Sequence, residues 1–119
     1  MSDLKTANDC IKMADGIGVV DTLHKLYRRK MVVSIPVSTE TAKTDFYELT
    51  LSVRAHNCLY RAGARTVGDV VRHIGDGSVK TLRNMSDKTV KEVYRKTMEF
   101  CYSQLTLIQK LKFFEAIIK

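Results

Sequence analysis

The sequence predicts an all-α protein, a compact helical bundle with an extra helical segment in front of it. Three observations carry that expectation. Helix-capping residues punctuate the second half at Ser52, Thr66 and Ser86, each ahead of an apolar-periodic stretch. The links between those stretches are short, and a single β-branched run is the only segment that reads as a strand. At 119 residues the chain has room for one domain with appendages.

Residues 3–30 read as two helical pieces. Leu4, Ala7, Ile11 and Ala14 form one apolar stripe, Asp15-Gly16 interrupts it, and Val19, Val20, Leu23, Leu26 and Tyr27 form the next. Met31 to Val37 is short and β-branched and holds the only proline, Pro36, which suits an extended or edge strand. Ser38 to Asp45 is polar and turn-like and is the expected boundary. Residues 1–45 are thus an N-terminal helical and extended accessory segment, and residues 46–119 the main domain with an added C-terminal helix.

Within the main domain, Ser52 caps a helix ending at Gly63, where a residue without Cβ can turn left-handed. Thr66-Val67-Gly68-Asp69 is a short-armed capping box that opens a helix to about His73. Gly75-Asp76-Gly77 is a loop, and a short turn from about Ser78 ends at Asn84. Ser86 caps a longer helix with Val90, Val93, Tyr94, Thr97 and Cys101 as its expected buried face. After a break at Ser103 comes a last amphipathic stretch, Leu107, Ile108, Leu111, Phe114 and Ile118, which suits core or a dimer seam.

Charge gives the first functional direction. Lys and Arg total 20 against 13 Asp and Glu, a net charge of +7. Residues 1–50 balance, and the whole excess lies in residues 51–119. A basic half joined to a neutral half points to a polyanionic partner, with nucleic acid the first candidate. No apolar run approaches the roughly 18 residues of a membrane span, and Met1 to Lys5 does not open a secretory leader. Cys10, Cys58 and Cys101 are odd in number and form no CxxC pair, which argues against a disulfide framework or a zinc site and suits reduced thiols in the cytoplasm. No Ser/His/Asp set, carboxylate pair or P-loop is present, so neither an enzyme nor a cofactor is expected.

The stretch Leu49-Thr50-Leu51-Ser52-Val53-Arg54-Ala55-His56-Asn57-Cys58-Leu59 resembles the C-terminal domain of the bacterial RNA polymerase alpha subunit. Two later motifs follow in order, Thr66-Val67-Gly68-Asp69-Val70-Val71 and Arg83-Asn84-Met85-Ser86-Asp87-Lys88-Thr89, so the resemblance covers about residues 46–103. It implies a helix-hairpin-helix type of domain that binds the A·T-rich DNA minor groove and touches RNA polymerase, sigma factor or transcription regulators. It also implies a DNA-facing surface made of Arg54, Asn57, Cys58, Ser86, Lys88, Thr89 and Glu92.

The residues support this independently. Arg54 and Asn57 lie one helical turn apart on one face, and a guanidinium suits the negative potential of a narrow A·T minor groove. Free amides at the helix start after Ser86 can hold a phosphate, with Lys88 adding charge and Thr89 a hydroxyl. Departures from the family pattern pull the other way. Ser86 stands where the family usually has Gly, Asp87 where it has Lys, Tyr60 where well-known members have Lys, and Thr50 where an acid is common, although Glu48 keeps one. A rival reading follows: a protein–protein module that kept the scaffold and lost DNA affinity. RNA binding through charge alone is a third. Three smaller expectations remain. Cys58 reads as a small buried hydrophobe and His24, His56 and His73 as surface or boundary residues. Arg28-Arg29-Lys30 reads as a solvated helix end. Gly16-Ile17-Gly18, which resembles a phosphate-gripping hairpin turn, reads as a plain connection, because Asp15 and Asp21 flank it.

Overall fold

A computed structural model describes residues 6–27 and 34–118, with Tyr27 described in its backbone alone. Helix α1 (Ala7–Ile17) starts where the Thr6 hydroxyl accepts a hydrogen bond from Asp9 N at 3.2 Å. It ends at Gly18, whose φ of +95° is left-handed territory, and α2 (Val19–Tyr27) follows at once. The break is therefore at Gly18 and not at Asp15-Gly16. Gly16 fits the helix without strain, whereas a Cβ on Gly18 would lie 2.7 Å from a Glu99 carboxylate oxygen. Ala7, Ile11 and Ala14 are buried as the stripe predicts, and Cys10 joins them.

Arg28-Arg29-Lys30 and Met31 to Val33 lie outside the described residues. Ser34 to Val37 carry no regular structure, so the described part of the expected strand is absent. Ile35 and Val37 pack as isolated side chains against the cores instead. The polar Ser38 to Asp45 run holds a single helical turn, α3 (Thr39–Ala42), capped by Ser38 and laid on α5. That approach requires Gly68, where a Cβ would meet Ala42 O at 2.9 Å. A 3-10 turn, Phe46–Leu49, ends at Thr50 with φ +49°.

The three caps read from the sequence all form. Ser52 starts α4 (Val53–Arg61), Thr66 starts α5 (Val67–Gly75) and Ser86 starts α6 (Asp87–Ser103). The Thr66–Asp69 capping box is complete in both directions. Amides of Arg65 and Thr66 both donate to the Asp69 carboxylate and hold its pKa below the usual range. A 3-10 turn, Ser78–Thr81, links α5 to α6, and α7 (Leu107–Ile118) follows Thr106. There Thr106 N donates to Gln109 Oε1 and Gln109 N to Thr106 Oγ1, a reciprocal box of the Thr-x-x-Gln kind.

Two apolar clusters share α6 as their common wall. One joins α1, α2 and α7 to Met98 and Tyr102; the other joins the Phe46–Leu49 turn, α4, α5 and Val79 to Val93 and Cys101. On α6, Val93, Thr97 and Cys101 are buried as expected, while Val90 and Tyr94 are only half-buried. The expected face of α7 is rotated. Phe114 is fully buried and Leu111, Phe113 and Ile117 pack beside it, while Leu107 and Ile108 are 61% and 65% exposed and Ile118 is also exposed. Two adjacent phenylalanines decide this: both meet the Tyr102 ring edge-on, with centroids 6.0 and 5.8 Å away, and outweigh the aliphatic stripe. No strand occurs among the described residues.

Candidate nucleic-acid interface

The start of α4 is tied to the middle of α6. Ser52 Oγ accepts from Ala55 N at 3.3 Å and donates to Glu92 Oε1 at 2.7 Å, while Ser52 N donates to Glu92 Oε2 at 2.6 Å. Lys96 Nζ sits 3.5 Å from the same carboxylate and donates to Thr50 O at 2.7 Å. Partial burial pushes the Glu92 carboxyl up, but the two Ser52 hydrogen bonds and the Lys96 charge outweigh it, and the net shift is downward. Two helices from different parts of the sequence thereby hold a fixed relative position.

That tie sets one wall of a groove. Arg54, Asn57 and Arg61 are exposed on α4 at spacings of three and four, so they share a face, with Cys58 buried behind them. Leu82, Asn84, Met85 and Ser86 form the opposite wall, and the open space between is about 660 Å³. Asn84 has φ +67°, a conformation asparagine tolerates better than most residues. Its carbonyl oxygen lies 3.5 Å from the Cys58 thiol and joins the walls at their base. None of the lining residues is acidic.

Beyond Ser86, α6 begins with its positive dipole end at the rim. Ser86 Oγ accepts from Thr89 N at 3.2 Å and pairs with Thr89 Oγ1 at 2.9 Å. Lys88 is exposed in this first turn, next to Asp87. Of the seven residues expected on the DNA-facing surface, the structure brings Arg54, Asn57, Cys58 and Ser86 into one groove lining. Lys88 stands exposed in the turn after Ser86. Thr89 is buried with its hydroxyl engaged by Ser86, and Glu92 is occupied with Ser52. Arg61 and Asn84 line the groove without having been read from the sequence. The helical spacing from Arg54 could have revealed Arg61; Asn84 depends on a turn geometry that spacing does not encode.

On the next stripe of α4, aromatic rings form a ladder. Phe46 stacks on His56 with centroids 4.4 Å apart, Tyr47 lies 4.5 Å from His56, and Tyr60 lies 6.2 Å beyond it. The Arg65 guanidinium covers Tyr60 at 3.7 Å from the ring centre. His73 has Nδ1 2.6 Å from Ser78 Oγ, and His24 is exposed.

The Gly16-Ile17-Gly18 turn is differently made. Val19 N and Val20 N, the free amides of α2, donate to the Glu99 carboxylate at 3.0 and 3.1 Å. An internal carboxylate thus occupies the place an external anion would take, in keeping with a plain connection. Arg95 pairs with Asp21 alongside at 3.2 Å. Among the described residues no group of His, Cys, Asp or Glu has the arrangement of a metal site, and no helix is long and apolar enough to cross a membrane.

Fold and groove together define a small all-α domain that joins a basic helix face to a second helix start. Residues 34–99 match the family of the C-terminal domain of the bacterial RNA polymerase alpha chain, and the protein belongs to that family, a part of the transcription apparatus. It is similar to the DNA-directed RNA polymerase subunit alpha of Wolinella succinogenes, 30% identical over 97 residues, covering 74% of this sequence and 29% of that protein. It is also similar to that subunit of Cutibacterium acnes, 39% identical over 67 residues, 54% of this sequence and 20% of the relative. With the Salinibacter ruber subunit it shares 48% identity over 46 residues, 39% of this sequence and 14% of the relative. The match thus spans less than a third of the length of these relatives. No solved structure matches it.

Proposed function

We propose that this protein binds duplex DNA, with the groove between α4 and the Leu82–Ser86 wall seated on the minor groove of A·T-rich sequence. The observation that carries this is the juxtaposition of Arg54, Asn57 and Arg61 with the start of α6, free of any lining carboxylate. Arg54 enters the minor groove, where acceptors are nearly degenerate and the potential favours a guanidinium. Asn57 adds a polar contact. Arg61 and Lys88 meet phosphates on the two sides, and the amides at the start of α6 contribute their dipole. Cys58 acts from beneath, by packing, and Glu92 acts through Ser52 by fixing where α4 begins. Contacts to polymerase, sigma factor or regulators fall to other surfaces.

Asp87 and the engaged Thr89 hydroxyl favour the rival reading, a protein–protein module on the same scaffold. Fluorescence anisotropy with A·T-rich duplex, G·C-rich duplex and RNA of equal length, across a salt series, separates the readings. The DNA reading expects tightest binding to the A·T-rich duplex and a negative slope of log affinity against log salt. Equal binding to all three supports binding through charge alone. No measurable binding at low salt supports the protein–protein module.

A further inference from the structure

Arg65 lies outside the groove lining, yet its guanidinium is among the most firmly placed cations in the molecule. Its Nη1 donates to Tyr60 O at 3.0 Å and to Ala64 O at 2.7 Å, and its carbon lies 3.7 Å above the Tyr60 ring centre. Tyr60 is itself backed by the His56–Phe46 stack. Among the described residues no carboxylate pairs with this guanidinium. The nearby Asp69 is engaged instead by Arg72 and by the amides of Arg65 and Thr66. The result is an exposed, unneutralised and immobilised positive charge, with donors left over after the two carbonyls are served.

Its position extends the groove's own series. Arg54 and Arg61 run along one face of α4, and Tyr60 is the neighbour of Arg61, about 100° further round the helix. We propose that Arg65, held by Tyr60, is a backbone-phosphate contact at the edge of the DNA footprint, so that the basic face continues past the end of α4. This rests on the DNA reading of the groove and adds a residue that the groove lining omits. Tyr60 here is a positioning residue: it supplies no charge but keeps the guanidinium of Arg65 from sampling other rotamers. A planar guanidinium stacked on a ring retains the edge that binds phosphate oxygens in a bidentate manner.

The alternative role for Arg65 is purely structural, satisfying the Tyr60 carbonyl at the end of α4 and the Ala64 carbonyl just beyond it. Arg65→Gln separates the two, because an amide can still donate to those carbonyls but carries no charge. Duplex affinity would be measured at 50 and 200 mM salt for the parent, Arg65→Gln, Tyr60→Leu and the pair Tyr60→Lys with Arg65→Gln, with thermal unfolding alongside. Arg65→Gln is expected to flatten the slope of log affinity against log salt by about 0.9, so its deficit relative to the parent shrinks about 3.5-fold across that salt range. Tyr60→Leu should reproduce part of this loss, and the Tyr60→Lys pair should restore the slope by placing a cation at the same edge. A parent-like slope in Arg65→Gln overturns the phosphate contact while leaving the groove reading intact. Absence of duplex binding by the parent overturns both.

Discussion

Two kinds of helix start in this molecule are handled in opposite ways. At the α1–α2 turn the free amides of Val19 and Val20 are closed by a carboxylate from α6, and Arg95 pairs with Asp21 beside it. At the α6 start the cap is the Ser86 hydroxyl, which satisfies one amide without cancelling the dipole. At the α4 start Ser52 is itself bonded to the Glu92 carboxylate, yet Arg54, Arg61 and Lys88 around the groove are unpaired by any carboxylate among the described residues. One region neutralises its own charge; the other leaves charge exposed over a concave face. The contrast locates free positive charge better than the total of +7 does, because Arg95 and Lys96 belong to that total yet are engaged internally.

Substitutions can break this contrast, beginning with the largest expected effect. Phe114→Ala removes a fully buried ring between α1, α6 and α7 and should cost about 3–5 kcal/mol of stability in urea unfolding. The folded fraction should bind duplex as the parent does. Glu99→Ala leaves two amides without their acceptor and should cost about 1–3 kcal/mol, again without changing the salt slope of binding. A gain in phosphate or DNA affinity in that variant would show that the closed turn is a masked anion site. Arg54→Ala should do the reverse: stability within error of the parent by thermal melt, affinity down by about 1–3 kcal/mol, and the A·T preference reduced.

Acid pH sharpens the comparison further. The Glu92 carboxyl is depressed in the folded protein, so the stability it contributes is present above its ordinary pKa and fades as pH falls through the lower, folded value. Glu92→Gln should flatten this part of the stability-against-pH curve, read by circular dichroism melts below about pH 4.5. An identical curve for the variant would mean that the Ser52–Glu92 tie carries no stability. The smallest effect is expected from Asp87→Lys, which removes an anion at the start of α6, where the proposed DNA contact places a phosphate. It should tighten duplex binding modestly at low salt and hardly at all at high salt.

How much was legible in the sequence follows from the range of each interaction. Ser52, Thr66 and Ser86 cap their helices through bonds to residues three positions away, so spacing alone identifies them. The Arg54–Asn57 face is legible for the same reason. Glu99 reaching Val19 and Val20 across about 80 positions is invisible to local reading, and so is Glu92 reaching Ser52. Asn84 needed a left-handed turn that no pattern announced. On α7 two apolar stripes competed, and only packing against Tyr102 decided for the phenylalanine side. The helix break lies at Gly18 and not at Asp15-Gly16 because Gly18 is the residue with a positive φ, while Gly16 stays helical; the polarity of Asp15 does not mark that position.

Amide chemical-shift mapping of the protein, titrated with an A·T-rich duplex, tests the contrast between open and closed helix starts most directly. Perturbed amides are expected to cluster at residues 52–61 and 82–89, with Val19, Val20 and the amides of α7 unmoved. Perturbation centred on the α1–α2 turn or on α7, with the 52–61 amides unchanged, would contradict it.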